Sequence, residues 1–356
     1  MSNFQFLIYG ANGYTGKLIL QEALKQNLRP TIAGRNKEQI EQLASEYAVD
    51  YRIFSLNSHS EIVEGLKGMA LILNCAGPFI NTVEPVIKAC LEQKVHYFDI
   101  TGEIDVFAIA HSFHQQAKEN NIVLCPGTGF DVVPTDCLAL RLKEEFKTTA
   151  SSLELAFHSQ GGPSKGTALT SFNGTGKGVK VRREGKIITV PYGTFQKDVT
   201  FPHKTLRVAS IPWGDVFTAF ISTNIPDITV YMVMHPKTIS KLSKGQKLLF
   251  LTKVQPIKWY LKRKIIKSIK GGGPSAETLT KTQSYIWGKI ADENNNSIEL
   301  FLKTPNGYVL TALASIQAII KLQSLNIQGG YYTPSLLFGS SFVLDIPGVE
   351  LIQKAL

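Results

Sequence analysis

Acidic residues are missing where the chain is most basic: no Asp or Glu lies between Asp227 and Glu277, a stretch that holds eleven Lys or Arg. The 356-residue chain has a formal net charge of +10, so this segment accounts for the whole excess. Residues 1–140 carry ten bases against fifteen acids. That uneven distribution, without any zinc-finger, helix-turn-helix or RNP signature, argues against nucleic acid as the partner. Cysteine is scarce as well. Cys75, Cys90, Cys125 and Cys137 are the only four, and their spacing fits neither a zinc motif nor a disulfide framework. They read as free thiols in a reducing cytosol, and no metal site is expected. Met1 to Gly10 lacks a basic start and a long apolar run, which argues against a secretory signal. The uncharged stretch Leu322–Leu344 is broken by Gly329, Gly330 and Pro334, so no membrane-spanning helix is expected there.

What is present is length for two domains and a regular alternation of short apolar runs with helical periodicity. Buried strands are predicted at 4–10, 30–34, 51–56, 70–77, 96–101 and 122–127, with helices between them. Six strands with helical crossovers predict an α/β fold with a Rossmann-type, doubly wound parallel sheet.

The turn after the first strand is Gly10-Ala11-Asn12-Gly13-Tyr14-Thr15-Gly16, of the form GxxGxxG. Gly10 permits the tight turn, Gly13 allows backbone to approach a pyrophosphate, and Gly16 allows close helix–sheet packing. The helix N-terminus behind it favours an anion. After the second strand, where an NAD site places a carboxylate for the ribose 2′-hydroxyl, the chain has Gly34-Arg35-Asn36. A guanidinium there suits a 2′-phosphate, so NADP is the expected cofactor. The fourth strand ends in Cys75-Ala76-Gly77-Pro78, small residues that leave room for ribose and nicotinamide, or simply an ordinary turn.

These motifs, with LNCAGPF, HYFDITGE and PGTGFDVVPTD, resemble the saccharopine dehydrogenase-like oxidoreductases, and most closely the trans-acting enoyl reductase branch. GPSAETLTKTQSYIWGKI and GGYYTPSLLFG extend the resemblance into the second half. It implies an NADP-binding Rossmann domain over 1–140, an α+β substrate domain over 141–328, and a C-terminal segment, 329–356, that returns to the first domain. It also implies reduction of a hydrophobic enoyl or related carbonyl or imine substrate by hydride transfer.

Such a reaction needs a proton donor near the nicotinamide. Topology points Asp99, Thr101 and Glu103, after the fifth strand, and Asp131 and Asp136, after the sixth, toward that position. Glu103 and Asp131 are the candidate catalytic residues, with helix capping as the alternative for both. Residues 247–270, within the basic stretch 237–270, interleave eight Lys or Arg with aromatics and aliphatics. Ile257, Leu261, Ile265 and Ile269 recur at helical spacing there, and Trp259 and Tyr260 suit a headgroup region. An anionic membrane surface and a solvated basic helix are both compatible with this. The expected partners are thus a small hydrophobic substrate and an anionic membrane surface, with a homodimer permitted, in a cytoplasmic, peripherally membrane-associated protein. Two other readings remain, a saccharopine-type amino-acid dehydrogenase and a non-catalytic lipid-surface protein that retains the fold.

Overall fold

The computed structural model describes residues 4–174, 178–245, 255–269 and 272–353. The first strands are β1 (Phe6–Tyr9), β2 (Thr31–Gly34), β3 (Tyr51–Ile53), β4 (Leu71–Asn74), β5 (His96–Asp99) and β6 (Val123–Cys125). Then come β7 (Ser152–Ser159), β8 (Val179–Arg183), β9 (Lys186–Val190), β10 (Gln196–Phe201), β11 (Lys204–Ser210), β12 (Asp227–Val233), β13 (Gln283–Ala291) and β14 (Ser297–Pro305). Two short strands, β15 (Gly330–Tyr331) and β16 (Glu350–Gln353), complete the series.

β1, β2 and β4 are uniformly buried, as expected of central parallel strands covered by helices on both faces. The seven-stranded sheet has the order β15-β6-β5-β4-β1-β2-β3, and every pairing in it is parallel. Strand order reverses between β1 and β4, so the crevice of a doubly wound sheet lies past their carboxyl ends. The expected Rossmann architecture is therefore present, with one strand more than the sequence pattern signals. At two residues β15 is too short to leave a periodic trace. Gly329 is needed where it enters, since a side chain would press within 2.6 Å of the Ile122 amide nitrogen.

The chain forms two compact units, one of residues 1–133 and 308–342, the other of residues 134–307 and 343–356. These bounds differ from the expected divisions at 140 and 329. The return begins with the helix Gly307–Ser324, whose Leu310, Ala314, Ile316 and Ile319 are buried. The final segment does not stay with the first unit, because β16 pairs antiparallel with β14. The second unit holds a mixed sheet in the order β10-β11-β12-β7-β13-β14-β16, with β8 and β9 as a hairpin beside it. Gly288 on β13 faces the helix Val133–Glu145, where an added Cβ would lie 2.6 Å from Leu142. The opposite face carries a core of Ala156, Val199, Val208, Tyr231, Trp287 and Phe301.

No helix among the described residues is long and apolar enough to cross a membrane. Of the basic segment, residues 246–254 and Lys270 fall outside the described residues, as do the side chains of Ile257, Leu261 and Ile265. The helix Gln255–Ser268 packs beside the helix Lys165–Gly174.

Candidate functional site

Backbone hydrogen bonds close the glycine turn. The Gly10 amide donates to the Ala33 carbonyl at 2.7 Å, and the Gly13 amide donates to the Gly10 carbonyl at 2.9 Å. Gly10 has a φ of +81°, and a side chain there would meet the backbone of Cys75 and Ala76 at 3.1 Å. A Cβ on Gly16 would overlap the Gly10 carbonyl oxygen. Both are thus conformational requirements rather than preferences. Gly13 precedes the helix Tyr14–Lys25, which has no side-chain cap and no acid in its first turn. Its leading amides and positive dipole end suit a phosphate.

Asn12 links this turn to the one after β2. Its Nδ2 donates to Gln39 Oε1 at 2.7 Å, while the Gln39 amide donates to Asn36 Oδ1 at 3.1 Å. Asn36 is therefore a helix cap, and the Arg35 beside it is exposed. A side chain at Gly34 would come within 3.0 Å of Ile40 and 3.3 Å of Asn12 Oδ1, so this position admits only glycine comfortably. Among the described residues no carboxylate pairs with Arg35. This donor set, glycine backbone plus an unneutralised guanidinium, fits a dinucleotide bearing a 2′-phosphate. Ala11 and Gly16 are buried beneath the turn, while Tyr14 and Thr15 are half-buried along it. Tyr14 meets Tyr308 edge to face at 5.2 Å, and burial raises its phenol to about pKa 12.

The other end lies past β4, β5 and β6. The Cys75 amide donates to the Tyr9 carbonyl, extending the β1–β4 ladder. Asn74 Oδ1 accepts from the Ala76 amide and its Nδ2 donates to Thr82 Oγ1, fixing the Ala76-Gly77-Pro78 turn, whose Gly77–Pro78 peptide is cis. Cys75 is protonated, its thiol pushed up by burial and then by Asp99.

Asp99 and Asp131 are both acids of raised pKa, but they are used differently. Asp99 is wholly buried and raised to about 6 by burial. Its oxygens accept from the Thr101 and Gly127 amides and from the Tyr97 hydroxyl, at 2.7–2.9 Å. It ties the end of β5 to the loop after β6. Asp131 is only partly buried and rises further, to about 7, first through burial and then through the charge of Glu103. Its Oδ2 lies so close over Gly102 that a Cβ there would sit 2.8 Å away. Glu103 occupies the N-cap position of the helix Ile104–Ser112 without capping it through its side chain. Instead its Oε1 accepts from the Phe79 amide at 3.1 Å, linking the β5 and β4 loops. The capping expectation for Glu103 is corrected by that bond, which holds the carboxylate on the β4 loop instead of on the first helical amides; the Glu103 amide itself donates to Thr101 Oγ1. Asp136, by contrast, is buried in the second unit and accepts from the Ser222 hydroxyl at 2.5 Å.

The sequence pattern missed what braces this end. Thr311 Oγ1 accepts from the Phe130 amide at 3.0 Å, and the Ser315 hydroxyl donates to the Thr128 carbonyl at 3.1 Å. Both lie on the helix Gly307–Ser324 and flank the loop that carries Asp131. The signal available was two hydroxyls at i, i+4 within the apolar first half of the helix. Among the described residues no group of three or more His, Cys, Asp or Glu could hold a metal ion.

Comparison with known proteins shows what this arrangement is similar to. Residues 6–125 match the model of the saccharopine dehydrogenase NADP binding domain. NADP is the cofactor of this domain. A saccharopine dehydrogenase-like oxidoreductase from Rattus norvegicus is 24% identical over 406 residues, covering 96% of this chain and 94% of the relative. A trans-acting enoyl reductase from Mycobacterium leprae is 30% identical over 141 residues, 37% of this chain and 34% of that protein. The solved apo saccharopine dehydrogenase (L-Glu forming) from Saccharomyces cerevisiae superposes with a TM-score of 0.64 at 12% identity, covering 99% of this chain and all of that one. The saccharopine dehydrogenase-like fold thus extends through both units, whereas the similarity to the enoyl reductase is confined to part of the chain.

Proposed function

We propose that the protein is an NADP-dependent oxidoreductase that reduces a hydrophobic enoyl substrate, or a related carbonyl or imine, with Glu103 and Asp131 handling the proton. The pairing of these two carboxylates carries the reading. Asp131 lies against Gly102 beside Glu103 and stays protonated up to about pH 7. When bound, NADPH supplies two-electron reducing chemistry. Reduction of a polarised double bond places negative charge on a heteroatom and requires one proton, best given by an acid titrating near the working pH. Glu103, anchored by the Phe79 amide, acts as the fixed negative charge that keeps the Asp131 proton in place.

In this reading the turn Gly10–Gly16 and the residues Gly34, Arg35 and Asn36 bind the adenosine end, and Cys75, Ala76, Gly77 and Pro78 flank the nicotinamide end. The exposed Ile80, directly after Phe79, gives the nearby rim an apolar character suited to a hydrophobic substrate. The enoyl reductase relative supports the substrate class. A hydrophobic substrate is met at an anionic membrane surface, the partner expected of the basic segment.

NADPH oxidation assayed with enoyl thioesters, apolar ketones and amino-acid-derived imines tests the proposal. Turnover with an apolar acceptor, lost in Asp131→Asn, is expected. Turnover confined to an amino-acid imine would replace it with the saccharopine-type reading, and full activity of Asp131→Asn would remove the assigned role. Failure of NADPH to bind would favour a non-catalytic protein retaining the fold.

A further inference from the structure

The helix Gln255–Ser268 displays its most unusual residues outward. Trp259 is 59% exposed and Tyr260 61% exposed, the two most exposed large apolar side chains among the described residues. Arg263, Lys264 and Lys267 are exposed on the same helix. At about 100° per residue, these five positions fall within an arc of about 140°. The arc therefore carries two aromatics and three cations. The Arg263 guanidinium stacks over the Trp259 ring at 4.5 Å, so the charge and the indole form one surface element. No acid lies nearer in sequence than Asp227 and Glu277, and among the described residues no carboxylate pairs with these three cations.

A solvated basic helix has no reason to hold a tryptophan and a tyrosine in water. Interfacial binding does. Indole and phenol rings favour the headgroup level of a lipid layer, and Lys and Arg beside them neutralise lipid phosphates. A nucleic-acid surface would engage the cations too, but a convex single-helix face offers no groove to track a phosphate backbone. We infer that the outward face of the helix Gln255–Ser268, made by Trp259, Tyr260, Arg263, Lys264 and Lys267, is a docking surface for anionic phospholipid. This deepens the membrane contact proposed above by naming its residues and lipid chemistry. It rests on that reading only for its biological purpose, because vesicle binding is measured without substrate or turnover.

The full-length protein is to be titrated with vesicles of phosphatidylcholine alone or mixed with phosphatidylglycerol, with binding read by co-sedimentation and tryptophan emission. Binding to the mixed vesicles, with a blue shift that Trp259→Ala abolishes, is expected; Trp287 is already buried. The triple variant Arg263→Ala, Lys264→Ala, Lys267→Ala should bind about 100-fold more weakly. High salt should weaken the wild-type protein similarly. NADPH affinity reports that each variant remains folded, and any variant that loses it is replaced by the salt series on the wild-type protein. Absence of binding to mixed vesicles at low salt overturns the inference. So does equal binding to neutral vesicles, or binding of an oligonucleotide in preference to the vesicles.

Discussion

The two ends of the nucleotide crevice are built from different materials. In the proposed reading the phosphate end consists of backbone amides, four glycines and an exposed arginine, and its geometry is set by residues close in sequence, Gly10 to Gly16 and Gly34 to Gln39. The end proposed to react consists of half-buried carboxylates whose properties come from distant neighbours: Phe79 on Glu103, and Thr311 and Ser315 on the loop before Asp131. Recognition of phosphate requires donors and space, which local turns supply. Tuning an acid to neutrality requires burial and a charged neighbour, which only packing supplies.

Substitutions at the reacting end should leave cofactor affinity intact while removing turnover. Asp131→Asn is expected to lower the rate by about 10²–10⁴-fold with the dissociation constant for NADPH unchanged, measured by single-turnover NADPH oxidation and calorimetry. Parallel loss of NADPH binding would erase the division between the two ends. At the phosphate end, Arg35→Ala should weaken NADPH by about 10- to 100-fold and leave NADH nearly unaffected, because a charge-assisted bond to the 2′-phosphate is lost. An equal effect on both cofactors would show that Arg35 shapes the turn rather than reading the phosphate.

Smaller effects probe how the acids are held. Asp131 has a folded pKa of about 7, above its unfolded value near 4. The native state therefore binds more protons than the unfolded state between these values, and stability falls as pH rises from about 4 to 7. Asp131→Asn should remove much of that slope, gaining on the order of 1–3 kcal/mol relative to wild type at pH 8 compared with pH 5, as read by denaturant unfolding. Thr311→Val leaves the Phe130 amide without its acceptor and should cost about 1–3 kcal/mol of stability. If it also displaces the Asp131 loop, the alkaline limb of the pH–rate profile, where the Asp131 proton is lost, should shift, which a purely structural loss would leave in place.

The same contrast explains what could be read without coordinates. The parallel sheet, its switch point and the tight glycine turn were legible, because strand burial and glycine requirements leave local traces at Phe6–Tyr9, Gly10 and Gly16. Topology pointed to the ends of β5 and β6, where Glu103 and Asp131 lie, but the approach of Asp131 to Gly102 and the use of Asp99 as a tie left no trace in the sequence. Those depend on which loop lies over which. The domain limits were misplaced for a related reason. The helix Gly307–Ser324 reads as an ordinary apolar helix, and nothing in its periodicity says which sheet it serves.

That helix makes the cofactor unit discontinuous, since residues 308–342 cluster with residues 1–133. Synthesis proceeds at roughly 5–20 residues per second, so on the order of ten seconds or more separates emergence of the glycine turn from emergence of the residues that complete its sheet. During that interval β6 is an open edge, with the backbone that β15 later covers available for wrong pairing. A nascent chain of this protein therefore presents a nearly finished nucleotide fold with one unprotected strand until Gly330 and Tyr331 have been made.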